Sequence, residues 1–241
     1  MGKEVLQIEK LKESFLNKEN FKIADLQAFY HSIDKDLPKT TINWRINSLV
    51  KSNAIQRIGR GMYKCGSGNH FTPELSQKAS RINNLMKINF PYLKFLIWQI
   101  SEINILSQHL INKDIIYVEV EREAVEAVFE LLREKLKYVL KGKSNEDVYL
   151  EERIIVVRSL VSGSPSQLVK NVPTTSIEKL LVDLYCDKEF EFLQGYELTF
   201  IFNTAFSKYT INTNKLLRYA SRKARREQVA EFLLEEVGVS C

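Results

Sequence analysis

The sequence predicts a mixed α+β fold with two domains, residues 1–68 and residues 69–241. Between residues 38 and 64, a helical apolar period leads into an alternating stretch centred on glycines. Strand-like apolar runs then alternate with helical patterns up to residue 173, and the pattern from Ser176 onward is helical alone. This order is typical of an α/β core that ends in a helical bundle. The short glycine-rich segment 66–69 marks the expected domain junction.

The N-terminal domain is expected to contain three helices and a hairpin. Apolar residues recur at helical spacing in residues 5–16 and 21–30, and Pro38 stands where a third helix opens. In that third helix, Ile42, Ile46 and Leu49 form the buried stripe. Alternation on both sides of residues 59–61 predicts a hairpin that turns on its glycines. Three helices followed by a hairpin constitute a winged helix-turn-helix.

The basic charge of the chain is concentrated in this domain. Residues 1–64 hold twelve Lys or Arg against seven Asp or Glu, whereas the other residues hold 23 of each. Residues 38–64 contain six Lys or Arg and no acid. Cations that neutralise phosphates, beside amides and hydroxyls that reach base edges, predict binding to double-stranded operator DNA. The expected DNA contacts are Lys39, Thr40, Thr41, Asn43, Trp44, Arg45, Asn47, Lys51, Arg57, Arg60 at the hairpin tip, and Lys64.

The C-terminal domain is expected to alternate strands with helices before its helical end. Strands are predicted at residues 93–98, 115–120, 154–157 and 168–169. Helices are predicted at residues 73–87, 100–110, 124–138, 176–186, 196–209 and 214–237. The apolar stripe of the last helix does not stay in line, so we expect it to break near Arg225 or Glu227.

A second basic surface is predicted within residues 213–226, which hold six Lys or Arg and no acid. Its members are Lys215, Arg218, Arg222, Lys223, Arg225 and Arg226. Three interpretations stay open: a solvated helix face, a second nucleic-acid surface, or a site for an acidic protein. Our hypothesis is that this surface extends the DNA footprint.

Two sequence segments resemble AbiEi-type antitoxins, the transcriptional regulators of the AbiE abortive-infection (type IV toxin–antitoxin) systems. The hairpin IQRIGRGMYK after the helix TTINWRINSLVKSN is similar to their N-terminal winged helix, and PTTSIEKLLVDL, residues 173–184, is similar to a helix of their C-terminal domain. The resemblance covers nearly the whole chain. It implies a repressor of its own operon, and an antitoxin against a nucleotidyltransferase toxin, whether or not the two proteins touch. It also implies an antitoxin motif of Thr174, Glu178, Lys179 and Asp183.

An enzyme is the alternative interpretation, namely a metal-dependent nuclease or nucleotidyltransferase with a DNA-targeting winged helix. Asp114, Glu119 and Glu121 lie on or near one strand, but the lysine that a nuclease places beside such acids is missing from the local sequence. The Ser162-Gly163-Ser164 segment lacks the downstream aspartates that hold Mg²⁺ in nucleotidyltransferases. We therefore expect no catalysis and no cofactor. No metal site is expected either, because the three cysteines and three histidines are scattered.

Location follows from what the sequence lacks. No run approaches the roughly 20 apolar residues of a membrane span, and residues 1–11 mix charged and apolar side chains, unlike a signal peptide. The expectation is a cytoplasmic protein with no membrane partner.

Overall fold

In the computed structural model, the described residues are 3–15, 18, 20–52, 54–59, 61–66, 69–112, 114–142 and 153–239. They form the expected mixed α+β fold. The chain divides into two compact units. The first comprises Met1–Phe71, Ala205–Asn214 and Ala230–Cys241, and the second comprises Thr72–Thr204 and Lys215–Val229. The boundary after Phe71 lies close to the predicted junction, but two C-terminal segments belong to the first unit, which the predicted domains did not anticipate.

The first unit begins with helices and a small antiparallel sheet of order β1-β3-β2. Its elements up to residue 65 are α1 Lys3–Leu6, α2 Ile8–Phe15, β1 Phe21–Lys22, α3 Ile23–Ile33, α4 Lys39–Lys51, β2 Ile55–Gly59 and β3 Met62–Cys65. The predicted helices and hairpin are thus present, although Gln7, with a φ of +51°, divides the first helix. The strand β1 was not predicted. The assignment of this arrangement as a winged helix-turn-helix stays a prediction.

The apolar stripe of α4 anchors it in the core of the first unit. Ile42, Ile46 and Leu49 are buried, as their spacing predicted, and they belong to one cluster with residues of α2, α3 and the hairpin. Pro38 precedes the helix in extended conformation, where its missing N–H costs nothing. The position of the opposite face of α4 is therefore fixed by burial of this stripe.

The second unit is built on a four-stranded sheet of order β4-β5-β7-β6. Its elements up to residue 186 are α5 Gln77–Asn89, β4 Phe95–Gln99, β5 Asp114–Val120, α6 Val125–Lys135, β6 Val139–Lys141, β7 Arg153–Ser159, β8 Ser166–Val169, β9 Val172–Thr175 and α7 Ile177–Cys186. The strands β5, β7 and β6 are parallel, so their carboxyl ends share one edge of the sheet, whereas β4 is antiparallel to β5. Strands β8 and β9 form a separate hairpin.

The two faces of this sheet carry different chemistry. Ile97, Ile116 and Ile155 point to one face and form an apolar cluster with residues of α5 and α6. Because side chains alternate along a strand, the opposite face carries Trp98, Tyr117, Glu119 and Arg158. The aromatic members stack, with 4.3 Å between the ring centroids of Trp98 and Tyr117. This second face forms the floor of a polar site.

The remaining elements are helical. Among the described residues, these elements are the 3₁₀ turns Ile100–Ile105, Arg122–Ala124 and Lys188–Leu193, and the helices α8 Tyr196–Lys208, α9 Thr213–Arg222 and α10 Arg226–Glu235. The predicted break near Arg225 is confirmed, because α9 ends at Arg222 and Ala224 takes a φ of +55°. The helix predicted at residues 100–110 is only a 3₁₀ turn. No helix in the described ranges has the length and apolar composition needed to cross a lipid bilayer.

Candidate functional site

The exposed face of α4 carries most of the predicted DNA contacts. Six of them are solvent-exposed: Lys39, Thr40, Asn43, Trp44, Asn47 and Lys51. Residues 40, 43, 47 and 51 follow one another at intervals of three or four, so they share one side of the helix. Trp44 keeps 49% of its surface exposed, as its position opposite the buried stripe predicted. The face holds two cations and two carboxamides and has no acidic residue.

Arg45 lies beside that face and is half-buried, so its role as a DNA contact stays a prediction. Its guanidinium carbon lies 5.1 Å from the ring centroid of Tyr30 in α3. Its Nε is buried and has no hydrogen-bond partner among the described residues. Tyr30 in turn donates a hydrogen bond from its hydroxyl to the carbonyl of Leu6 at 2.9 Å, and burial raises the pKa of Tyr30 to about 12. Arg45 therefore packs within the first unit, and Thr41 beside it is half-buried.

The hairpin contributes less exposed charge than the sequence predicted. Arg57 is half-buried, and its carbonyl accepts a hydrogen bond from the hydroxyl of Thr213 at 3.0 Å. Lys64 is also half-buried, and burial lowers the pKa of its ammonium. Its register partner Gln56 is buried. The partial burial of Lys64 makes it less accessible to DNA than the sequence predicted. Arg60, the predicted contact at the hairpin tip, lies outside the described residues.

A buried charge cluster lies on the second face of the sheet in the second unit. Glu119 and Arg158 are direct partners in the register of β5 and β7. Arg158 donates to Glu119 Oε1 from Nε at 3.0 Å and from Nη2 at 2.7 Å, and it also contacts Asp187 and Glu189. Trp98 Nε1 donates to the same oxygen at 2.9 Å. Glu119 and Glu121 share one face of a strand, a pattern that favours a solvated edge, but Glu119 is only 2% exposed.

Helix α7 supplies the rest of this cluster. Lys179, which is 0% exposed, lies with Nζ 2.8 Å from Glu119 Oε2 and 2.5 Å from Asp183 Oδ2. Asp183 also accepts from the Tyr219 hydroxyl at 2.9 Å and contacts Lys223 at 2.6 Å. Lysine and aspartate at positions i and i+4 share one helix side, so one turn of α7 presents both charges to the sheet. Lys223 also bridges to Asp187 at 2.5 Å.

The electrostatics of the cluster favour its charged state. Burial alone raises the pKa of a carboxyl group, but the neighbouring cations outweigh burial here. Lys179 and Arg158 hold the pKa of Glu119 below its ordinary value, and Lys179, Lys223 and Arg158 do the same for Asp183. The acids likewise raise the pKa of Arg158 despite its burial. The cluster therefore remains ionised at neutral pH, with its charges paired internally.

The residues of the predicted antitoxin motif are structural in this arrangement. Thr174, Glu178, Lys179 and Asp183 are all buried. Glu178 accepts a hydrogen bond from the Ser176 hydroxyl at 2.5 Å and lies 3.4 Å from the ammonium of Lys215. Helix α7 is enclosed on nearly all sides, because every residue from 177 to 184 is buried. The residues of the motif thus form part of the buried interior of the second unit.

The second basic surface is smaller than predicted. Lys215 forms an ion pair with Glu178, and Lys223 forms ion pairs with Asp183 and Asp187. The charges of these two lysines are therefore neutralised within the second unit. The others, Arg218, Arg222, Arg225 and Arg226, are exposed. Acids of α7 and of the residue that follows it thus offset two of the six cations directly.

The acids of the enzyme alternative do not converge. Asp114 and Glu121 are exposed at opposite ends of β5, whereas Glu119 is enclosed by cations. A lysine does accompany Glu119, but it arrives from α7, 60 residues along the chain. Among the described residues, no group of three or more His, Cys, Asp or Glu is placed to hold a metal ion.

Sequence reasoning missed Arg158, Tyr219 and Trp98, because their partners lie far away in the chain. A single basic residue at the end of an apolar strand was the available signal for Arg158.

No curated protein matches the chain. The model of one family, described as a family of unknown function, matches residues 41–238, a stretch that takes in most of α4, the hairpin and α7. The chain therefore belongs to DUF6577, a family of unknown function.

Proposed function

We propose that the chain is a sequence-specific repressor that reads duplex DNA with α4 as its recognition helix and the β2–β3 hairpin as its wing. The observation that carries this proposal is the exposed, acid-free face of α4, which holds Lys39, Asn43, Trp44, Asn47 and Lys51. A helix with this composition, followed by a hairpin, suits the major groove of B-form DNA. The deep and narrow major groove of A-form RNA does not admit such a helix.

The residues of the face take different roles in this proposal. Lys39 and Lys51 lie at the two ends of α4, where ammonium groups reach phosphates on both sides of the groove. Asn43 and Asn47 lie one turn apart, and a carboxamide pairs with adenine through two hydrogen bonds. Trp44 packs on a deoxyribose or a thymine methyl. Affinity thus comes mainly from the lysines, and sequence preference comes from the asparagines.

The biological setting is proposed from the resemblance to AbiEi-type antitoxins. The chain is a cytoplasmic autoregulator of a type IV toxin–antitoxin operon of phage defence, and it counters a nucleotidyltransferase toxin without catalysis of its own. The burial of Lys179 and Asp183 supports a role for the motif in maintaining the second unit rather than in touching the toxin. Co-expression with the nucleotidyltransferase of the same operon tests this setting, and growth arrest that the chain does not relieve argues against it.

Replacing Lys51 by alanine should weaken binding to all duplexes and reduce the salt dependence of binding. Loss of one phosphate contact removes the release of about one counterion, so the slope of log K against log salt should flatten by about one unit. Fluorescence anisotropy of a labelled duplex at several salt concentrations measures this slope. Lys10→Ala, which removes an exposed lysine of α2, is the matched control and should keep the wild-type slope. An unchanged slope for Lys51→Ala rejects the phosphate contact.

The enzyme alternative predicts a different experimental result. It requires cleavage of DNA or transfer of a nucleotide that depends on Mg²⁺ or Mn²⁺ and disappears in Asp114→Ala or Glu121→Ala. Both side chains are exposed, so these variants are expected to fold. Glu119→Ala is less informative, because it leaves Lys179 buried without one of its partners.

A further inference from the structure

A cavity of about 640 Å³ opens above the charge cluster in the second unit. It lies where the parallel strands end: Arg122 follows β5, Gly142 follows β6, and Ser159 is the last residue of β7. Helix α7 and the junction of α9 with α10 form its other walls. In α/β sheets, ligands bind in the crevice beyond the carboxyl ends of the strands. The volume is in the range of small-molecule sites, roughly 300–1,000 Å³.

The charges that line the cavity are of two kinds. Glu119, Asp183 and Asp187 lie at its floor, where Arg158 and Lys223 bond them. Arg122, Arg222 and Arg225 lie at its walls and are exposed. Within the described part of the chain, no hydrogen bond or ion pair involves the guanidinium group of any of these three arginines. The cavity thus has a neutralised floor and an uncompensated positive rim.

The rim arginines come from distant parts of the chain. Arg122 belongs to the turn after β5, whereas Arg222 ends α9 and Arg225 lies in the link to α10. Guanidinium groups offer planar pairs of donors that match phosphate oxygens. Of the floor carboxylates, Asp187 is the most accessible, with 16% of its side chain exposed against 1% for Asp183 and 3% for Glu119. Its oxygens can accept a hydrogen bond from a hydroxyl or an amino group.

We propose that this cavity binds a small phosphate-bearing ligand, with the phosphate on Arg122, Arg222 and Arg225 and a donor group of the ligand facing Asp187. A nucleotide meets both requirements, because it joins a phosphate to hydroxyl and amino donors. The concave shape suits such a molecule better than a duplex, which contacts proteins over a broad surface. The proposal assigns part of the second basic surface to a ligand site, and it does not depend on DNA binding by α4.

Calorimetric titration of the 241-residue chain at low salt tests the proposal, with ATP, GTP, AMP and inorganic phosphate as probes. Arg122→Gln and Arg222→Gln should each weaken binding by at least about tenfold, since each removes charged hydrogen bonds to phosphate, and the double variant should lose more. Arg218→Gln is the matched control. It removes an exposed arginine of the same helix α9 that does not line the cavity, so its affinity should equal that of the wild type.

The probes also separate the possible ligands. Tighter binding of a nucleotide than of inorganic phosphate supports a nucleotide, and equal binding supports free phosphate as the ligand. The proposal is overturned if no probe binds at millimolar concentration, or if the double variant binds as tightly as the wild type. It is also overturned if only duplex DNA binds and the double variant loses that binding, because the arginines then belong to a DNA surface. Thermal melting of each variant verifies that the fold is retained.

Discussion

Replacing Lys179 by methionine should destabilise the second unit by about 3 kcal/mol. The ammonium is fully buried between Glu119 and Asp183, so its loss leaves two buried carboxylates with one cation fewer. Methionine keeps the apolar volume of the side chain. The loss in free energy of unfolding therefore reports the removal of the positive charge. Arg158 and Lys223 still contact the carboxylates, which places the effect at the lower end of the usual range. Lys179→Ala should cost more, because it also leaves a cavity.

Urea unfolding followed by tryptophan fluorescence measures this effect. The chain has two tryptophans, and Trp98 donates a hydrogen bond to Glu119 in the cluster itself. In a Trp44→Phe background, the signal therefore reports on the second unit alone. Lys188→Ala removes an exposed lysine and should change stability by less than about 0.5 kcal/mol. If Lys179→Met unfolds at the same urea concentration as this control, the cluster does not need the buried ammonium.

Glu102→Gln should remove a pH dependence of stability between about pH 5 and pH 8. Glu102 is 5% exposed in the 3₁₀ turn after β4, and burial raises its pKa to about 8, although the Gln99 N–H and the charge of Lys179 oppose the rise. Its Oε2 has no hydrogen-bond partner among the described residues. The folded chain thus holds a proton that the unfolded chain releases near pH 4.5. Stability contributed by this proton is present below that pH and is lost as the pH rises toward 8.

The free energy of unfolding of the wild type should fall by roughly 1.4 kcal/mol for each pH unit within that interval. Over the whole range from pH 5 to pH 8 the loss should be about 3 kcal/mol, because relaxation of the structure around the carboxylate reduces it. Glutamine is neutral in both states, so the stability of Glu102→Gln relative to the wild type should rise by this amount. Urea midpoints at pH 5, 6, 7 and 8 give the comparison. Glu123→Gln, at an exposed position, should follow the wild-type profile. The lowered pKa values of Glu119 and Asp183 affect stability only at more acidic pH. Parallel profiles for Glu102→Gln and the wild type contradict the assignment of a buried, protonated Glu102.

The helices and the hairpin of the first unit were predictable because local spacing determines them. Ile42, Ile46 and Leu49 recur at the helical period, and the glycines at 59 and 61 mark the turn that follows. The same helical period predicts which residues of α4 lie on its exposed side. What the period does not give is the partial burial of Arg45 and Lys64, because each depends on elements that other segments bring against the helix and the hairpin.

The charge cluster was not predictable, because a glutamate within an apolar strand normally indicates an exposed position. The pairing of Glu119 with Lys179 joins residues 60 positions apart, and no local pattern encodes it. The hairpin β8–β9, by contrast, has a local signal in the sequence. Lys170 and Asn171 form its two-residue loop with φ values of +47° and +65°, and an asparagine there between apolar residues is a known mark of such turns.

The most direct test of DNA recognition by α4 is selection of binding sites from a pool of random duplexes by the 241-residue chain. The wild type should enrich a defined sequence motif, and a variant with Asn43→Ala and Asn47→Ala should enrich it weakly or not at all, because the carboxamides that read the bases are gone. Asn84→Ala, which removes an exposed asparagine of α5, should select the wild-type motif. Failure of the wild type to enrich any motif, or enrichment of the same motif by the double variant, contradicts recognition by α4.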